Sequence, residues 1–535
     1  MLRLGAMQEW PLRLMRLVDH AERANARQEI VSSWPDGRVT RTSWGQVAHD
    51  ARRMAQALQR LGMRKGDRIA TLAMNHDRHL VGWYGAAGMG GVLHTLNPRL
   101  SDEHLVFIAN HAEDRVLVYD RSFAPLVSRL KPFWRTIEHY ICFDDEFPAW
   151  LDAETGDYAW VGGDERDPCG LCYTSGTTGE PKGVLYEHRS TVLHALAEIQ
   201  PDCFDLSARS VVAPIVPMFH ANAWGIPWAA PLTGCKLVLS ADFDPGRIAE
   251  LFREEAVTHS AAVPTVWLEM IKHVEETGAS LGSLEKVTIG GSAAPRAMID
   301  WFRRRGITVG HAWGMTELSP IGTLAGPPAE WDMMTDIEQL DYAARQGRTL
   351  FGVELRTVDD QGRELPRDGV SSGMLQARGA WVVQRYFKAP ADAIDADGWF
   401  DTGDVATLHP DGSMQITDRA KDVIKSGGEW ISSIELENAA VGCPGVAEAA
   451  AIGLPHPKWD ERPLLCIVRQ PESRLSEAQV RAHLVGRIPR WWLPDAIEFV
   501  DSLPHTATGK LSKKDLREQF ADYVFPGAER MIGRA

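Results

Sequence analysis

Residues 174–184 concentrate the chemistry of this chain. Thr174, Ser175, Thr177 and Thr178 supply hydroxyls, Gly176, Gly179 and Gly183 free the backbone, and Lys182 adds a positive charge. Glycines let successive N–H groups close around an anion, hydroxyls add donors and an ammonium offsets charge, so the run is built to hold a phosphate. It is not a Walker A loop, which needs Gly-Lys followed at once by Ser or Thr; here Pro181-Lys182-Gly183 ends the run. The plain alternative is a Gly/Thr-rich surface loop.

Four further segments follow in order: Ala312-Trp313-Gly314-Met315-Thr316-Glu317, Phe400-Asp401-Thr402-Gly403-Asp404, Asp418-Arg419-Ala420-Lys421-Asp422-Val423-Ile424-Lys425 and Pro504-His505-Thr506-Ala507-Thr508-Gly509-Lys510. With the phosphate loop they resemble, motif by motif, the adenylate-forming superfamily of acyl-CoA synthetases, peptide-synthetase adenylation domains and luciferases. Each motif alone is weakly specific; five in one order over most of the chain are not.

The resemblance implies a reaction in which a carboxylate attacks the α-phosphate of ATP to give acyl-AMP, from which CoA thiolate displaces AMP. Bringing a carboxylate to a polyanion requires cations in the transition state. Glu317 matches the family's magnesium ligand, joined by Thr174, and a hard oxygen donor suits Mg2+. Thr174, Ser175, Gly176, Thr177, Thr178, Gly179 and Lys182 would cradle the phosphates, with Thr316 on the α-phosphate. Gly291, Ser292, Ala293, His311, Ala312, Trp313, Gly314 and Met315 would border the adenine, Trp313 covering it. An ionised Asp404 has two oxygens for the ribose hydroxyls. Lys510 would bridge carboxylate and phosphate. Arg419, Lys421 and Lys425 fall at the hinge and would reach ribose, phosphate or AMP; Lys425 and Trp430 relate to CoA.

The segment Pro217-Met218-Phe219-His220-Ala221-Asn222-Ala223-Trp224 resembles the acyl-pocket segment of fatty-acyl-CoA synthetases. His220, Ala221, Trp224, Val263 and Gly314 would line that pocket, His220 beside the carboxylate and Trp224 as its gate. Residues 427–433 and 455–463 strengthen the likeness to the medium- and long-chain fatty acid branch, which methylmercaptopropionate and aryl-alkanoate ligases share. Nothing in these segments offers an aspartate for a substrate amino group, so an apolar acid is expected. Two departures stand out: Gln384-Arg385-Tyr386 where relatives carry Gly-Tyr, and His505 where arginine is common.

These residues need a scaffold, and length and pattern outline it. The 535 residues exceed one ordinary core. Residues 44–61 carry Trp44, Val47, Ala51, Met54, Ala55, Leu58 and Leu61 at helical spacing, with Gly62 to cap the end, and Arg68 to Ala73 reads as a buried strand. This alternation recurs at 236–239, 246–254, 258–263 and 286–289, which argues for a mainly parallel α/β sheet covered by helices. Short strands with turns at Asp360-Gln361-Gly362 and Asp411-Gly412 make 350–417 a β-rich subdomain. The expected partition is an N-terminal AMP-binding domain at 1–418, a hinge at 419–425 and a small mobile α+β lid at 426–535.

The net charge of −15 argues against nucleic acid or anionic membrane as a general partner, and no apolar run is long enough to span a bilayer. Seven cysteines without a framework suit a reducing cytosol; Cys169 and Cys172 read as packing residues, since nothing completes a zinc set. The expectation is a cytoplasmic acid–CoA ligase using ATP, Mg2+ and CoA, with a homodimer by analogy. Two alternatives stay open: an acyl-AMP ligase that loads a carrier-protein thiol, and a nucleotide-binding regulator without catalysis, although Lys510 and Glu317 are both present.

Overall fold

Ser43 starts the helix Trp44–Arg60 by accepting the Gln46 amide on its hydroxyl at 3.3 Å, and the helix buries Trp44, Val47, Ala51, Met54, Ala55 and Leu58 along one face. Gly62 follows with φ +79°, the left-handed conformation that ends a helix cleanly. The buried face packs on the helix Asp77–Gly88, which is buried on all sides from His79 onward and touches strands of both large sheets. Gly85 permits the approach: a Cβ there would lie 2.7 Å from the Met54 Cβ.

The computed structural model describes residues 7–174, 180–427, 429–505 and 511–526. Among them, six strands form a first sheet in the order His139–Cys142, Asp114–Tyr119, Arg68–Leu72, Val92–Thr95, Pro168–Tyr173, Gly183–Glu187, parallel except for the last hairpin. The second sheet holds a parallel run, Lys236–Ser240, Val211–Pro214, His259–Ala262, Lys286–Ile289 and Thr308–Gly314, extended on one side by Glu29–Ser33 and Val39–Ser43. On the other side Ile321–Leu324, Gly347–Thr349, Ser413–Arg419, Phe400–Leu408, Ser372–Gly379 and Val353–Val358 continue it antiparallel. The β-rich stretch after 350 therefore shares one continuous path of strands with the parallel sheet. The fold is α/β, with a large N-terminal part and a smaller C-terminal one.

The C-terminal part has its own sheet, Glu429–Ile431, Ile424–Ser426, Asp460–Arg469 and Val446–His456, with Ala496–Phe499 alongside Asp460–Arg469. Helices Ser433–Val441 and Glu477–Leu484 cover a core around Leu436, Leu465, Ile467 and Val480, and Lys513–Gln519 packs a second core through Leu516. No helix among the described residues is long and apolar enough to cross a membrane.

Candidate active site

Four of the motif segments leave the carboxyl ends of four adjacent parallel strands. Val211–Pro214 runs into the Pro217 to Trp224 segment, His259–Ala262 into Val263, Lys286–Ile289 into Gly290 to Pro295, and Thr308–Gly314 into Met315, Thr316 and Glu317. Ligands of α/β sheets bind outside the carboxyl ends of the strands, so parallel pairing alone gathers these segments at one edge.

The glycine- and hydroxyl-rich segment at 174–184 begins and ends on a hairpin beside them. Tyr173 pairs with Gly183, and the Thr174 amide donates to the Lys182 carbonyl at 2.9 Å, which closes the base of the loop. Ser175, Gly176, Thr177, Thr178 and Gly179 lie outside the described residues. Lys182 holds its ammonium 4.9 Å from the centre of the Tyr386 ring, a cation–π contact. Cys169 and Cys172 are buried, and burial pushes their thiols up to about 12 and about 11. They are packing residues rather than nucleophiles.

Glu317 sits in the short turn Thr316–Leu318 and is almost wholly buried. The Tyr386 hydroxyl donates to its Oε1 at 2.8 Å, and the Tyr186 hydroxyl fixes the turn by donating to the Thr316 carbonyl at 2.8 Å. Burial raises the Glu317 pKa above the ordinary carboxyl value; the Tyr386 hydrogen bond and the charges of Arg419 and Lys182 pull the other way without prevailing. Among the described residues no cation forms an ion pair with Glu317, and a hard metal ion would supply that charge. The donor set therefore fits magnesium.

Trp313 donates its indole N–H to Asp404 Oδ2 at 2.8 Å, while Arg419 reaches Asp404 Oδ1 at 2.8 Å from the facing strand. Both oxygens are thus engaged. Gly314 has no room for a side chain, since a Cβ would collide with the Pro320 carbonyl, and Gly322 leaves space for the Trp313 ring. His311 ties the Gly290 to Pro295 segment to its strand: Nε2 accepts the Ala294 amide at 3.2 Å and Nδ1 donates to the Ala344 carbonyl at 3.0 Å. Burial lowers its pKa to about 4, so it is a neutral brace.

The acyl segment is fastened by Asn75, fully buried on the other sheet's side. Its Nδ2 donates to the Pro214 and Val216 carbonyls at 3.1 and 3.0 Å, and its Oδ1 accepts the Met218 amide at 2.7 Å. Beyond it, Ala221, Asn222, Ala223, Trp224 and Gly225 all have positive φ, at 43°, 55°, 49°, 56° and 84°. Each non-glycine residue in this region costs about 1–2 kcal/mol, so the surroundings must enforce the turn. The outcome is that Trp224 is buried against Gly290, where a Cβ would stand 3.3 Å from its Cη2. The acyl segment and the segment assigned to adenine meet at that contact. His220 precedes the turn in extended conformation, and Val263 caps the helix Pro264–Thr277.

Arg419 ends the strand Ser413–Arg419, Lys421 is exposed just after it, and exposed Lys425 is the cross-strand partner of Trp430 on the C-terminal sheet. Lys510 lies outside the described residues. The helix that follows it grips the same stretch: Lys513 donates to Ser433 Oγ, itself bound to Asp418, and Arg517 pairs with Asp422 at 2.8 Å.

Sequence reasoning assigned no role to Tyr386, Tyr186, Asn75 or Lys513. Tyr386 carried a signal, because it stood inside the departure Gln384-Arg385-Tyr386; Arg385 turns away to pair with Asp392. Asn75 had only its polarity, between the buried strand Arg68–Leu72 and a helix.

Comparisons with known proteins identify the family. The AMP-binding enzyme model matches residues 17–387, and the AMP-binding enzyme C-terminal domain model matches residues 435–510. The chain is 48% identical to a 3-methylmercaptopropionyl-CoA ligase of Ruegeria lacuscaerulensis, over 97% of this chain and 99% of the relative. It is 44% identical to a medium-chain-fatty-acid–CoA ligase of Ectopseudomonas oleovorans, over 97% and 98%. Among solved structures, ATP-bound MatB from Rhodopseudomonas palustris matches with a TM-score of 0.82 at 25% identity, over 96% of this chain and 99% of that one. The chain belongs to the AMP-binding enzyme family, and within it to the acyl-CoA synthetase branch of AMP-forming acid–thiol ligases.

Proposed function

We propose that the substrate is an apolar carboxylic acid of medium chain length or similar size, with methylmercaptopropionate and aryl-alkanoates in the same range. The observation that carries this reading is the buried left-handed turn that sets Trp224 against Gly290, walled by Ala221, Ala223 and Ile226. Apolar walls of this kind reward apolar surface on a substrate. The ligases named above, for methylmercaptopropionate and for medium-chain fatty acids, support the same range.

In this reading the acid's carboxylate oxygen attacks the α-phosphorus of ATP, the bond to the bridging oxygen breaks and pyrophosphate leaves. CoA thiolate then attacks the acyl carbon and AMP departs. Glu317 and Thr174 would hold magnesium, which when bound offsets the charge of the polyphosphate. Ser175 to Gly179 and Lys182 cradle the phosphates, Thr316 meets the α-phosphate, and Gly291, Ser292, Ala293, His311, Ala312, Trp313, Gly314 and Met315 border the adenine. Asp404, already oriented by Trp313 and Arg419, accepts the ribose hydroxyls. His220, Ala221, Trp224 and Val263 line the acyl slot. Residues 419–425 act as the hinge of a lid at 426–535, with Lys421, Lys425 and Trp430 exchanging AMP and CoA contacts and Lys510 serving adenylation. The setting is cytoplasmic and the assembly a homodimer.

The deciding experiment measures AMP release from ATP, magnesium and CoA across acids from acetate to palmitate, with methylmercaptopropionate and phenylpropionate. Release that depends on acid and CoA and peaks at medium chain length is expected. Acid-dependent pyrophosphate exchange without CoA-dependent AMP would point to a carrier-protein thiol instead. In the same assay Trp224→Ala should redistribute chain-length preference by about 1–3 kcal/mol per methylene while leaving ATP affinity in place; an unaltered acid profile would remove Trp224 as the gate.

Tyr386→Phe tests the other half of the site. Its hydroxyl favours the ionised form of Glu317, so its loss raises that pKa further. The acid limb of the pH–rate profile should move to higher pH. An unmoved limb would mean that Glu317 ionisation does not govern the rate.

A further inference from the structure

Glu198, the last residue of the helix His188–Glu198, is fully buried, and among the described residues neither of its carboxylate oxygens has a hydrogen-bond partner. Buried polar groups are nearly always paired, so this exception asks for an explanation. One turn earlier, His194 is also fully buried, and its Nδ1 stands 3.4 Å from Glu198 Oε2 without forming a hydrogen bond. The other ring nitrogen, Nε2, accepts the Ile321 amide at 3.0 Å, which places the imidazole proton on Nδ1, facing the carboxylate. The Trp381 ring meets the imidazole edge-on at 5.6 Å, and its indole N–H donates to the Ile321 carbonyl at 3.1 Å.

The carboxylate lies on the open face of Gly225, where a Cβ would collide with both of its oxygens. Gly225 is the last residue of the left-handed run that carries Trp224. The couple therefore touches two segments at once: His194 holds Ile321, four residues beyond Glu317, and Glu198 buttresses the end of the acyl turn.

We propose that His194 and Glu198 form a positioning couple that sets the left-handed Ala221–Gly225 turn against the Thr316–Ile321 segment and so determines how the acid's chain fits beside Trp224. The proposal rests on the acyl-slot reading above. It predicts an effect on the acid and not on the nucleotide, whereas a merely structural role would affect both substrates together.

Glu198→Leu keeps a side chain of similar size and removes the carboxyl group. The change leaves the buried His194 N–H without an acceptor, so the variant should melt somewhat lower than the parent, and the split between the two KM values carries the test. Its KM for the preferred acid should rise about tenfold, the size of a poorly fitted methylene, with a shifted chain-length profile. Its KM for ATP should stay within about twofold. Glu198→Gln, whose amide oxygen keeps an acceptor facing His194 Nδ1, should recover most of the acid KM. With an active parent, an unchanged acid KM and profile in Glu198→Leu, or parallel rises in both KM values, would overturn the couple's role alone. A parent without acid-dependent AMP release would overturn the acyl-slot reading and the proposal with it.

Discussion

Lys510→Ala should lose on the order of 10²–10³ in the rate of acid-dependent pyrophosphate exchange, the usual cost of removing a charge-stabilising donor from a transition state. Thioester formation from preformed acyl-AMP should be largely spared. The two half-reactions make different electrostatic demands. In the first, two anions meet and an ammonium between them lowers the barrier. In the second, a thiolate attacks an activated carbonyl and AMP leaves, with no carboxylate to bring onto a polyphosphate. Measuring both half-reactions separately checks the assignment, and equal loss in both would sink it. Lys510→Arg sharpens the test: a planar guanidinium keeps the charge but not the point geometry, and should recover little.

Lys513→Met should destabilise the C-terminal part by about 3–5 kcal/mol, the cost of stripping the cation from a buried ionic cluster. Lys513 Nζ donates to Ser433 Oγ at 2.5 Å and pairs with Glu437 at 2.8 Å, and the Ser433 amide donates to Asp418 at 2.6 Å. Burial raises the pKa of both Asp418 and Glu437 and works against the charge on Lys513; the two carboxylates outweigh it, and the Lys513 pKa is raised. Without the ammonium, two carboxylates share an apolar site with no counter-charge. Chemical denaturation followed on the variant would read the loss, and pairing it with Glu437→Gln should restore part of it. A loss below about 1 kcal/mol would place this cluster with weak surface ion pairs. The cluster also has a mechanical meaning. Lys513 opens the helix that follows Lys510, and with Arg517 it clasps Asp418 and Asp422. The lysine loop and the proposed hinge are thereby joined through one short helix.

What the sequence determined by itself was local in origin. Hydroxyl- and glycine-rich composition singled out residues 174–184, and the ordered motifs at Trp313 to Glu317, Asp401 to Asp404 and Arg419 to Lys425 declared the family and its reaction. Periodicity located the helix Trp44–Arg60 and the strands Lys236–Ser240 and Lys286–Ile289 to within a residue or so, because apolar spacing reflects which face an element buries. Tertiary structure alone decided the partners. Tyr386 reaches Glu317 across 69 positions, Trp313 reaches Asp404 across 91, and Asn75 clasps the acyl segment across 139 and more. It also decided that Glu198 and Gly225 meet and that the turn between His220 and Ile226 is left-handed. Such facts follow from strand order, register and crossover, which bring distant positions to one edge of a sheet. A hydrogen bond depends on the last ångström of that arrangement, and no periodicity in the chain encodes it.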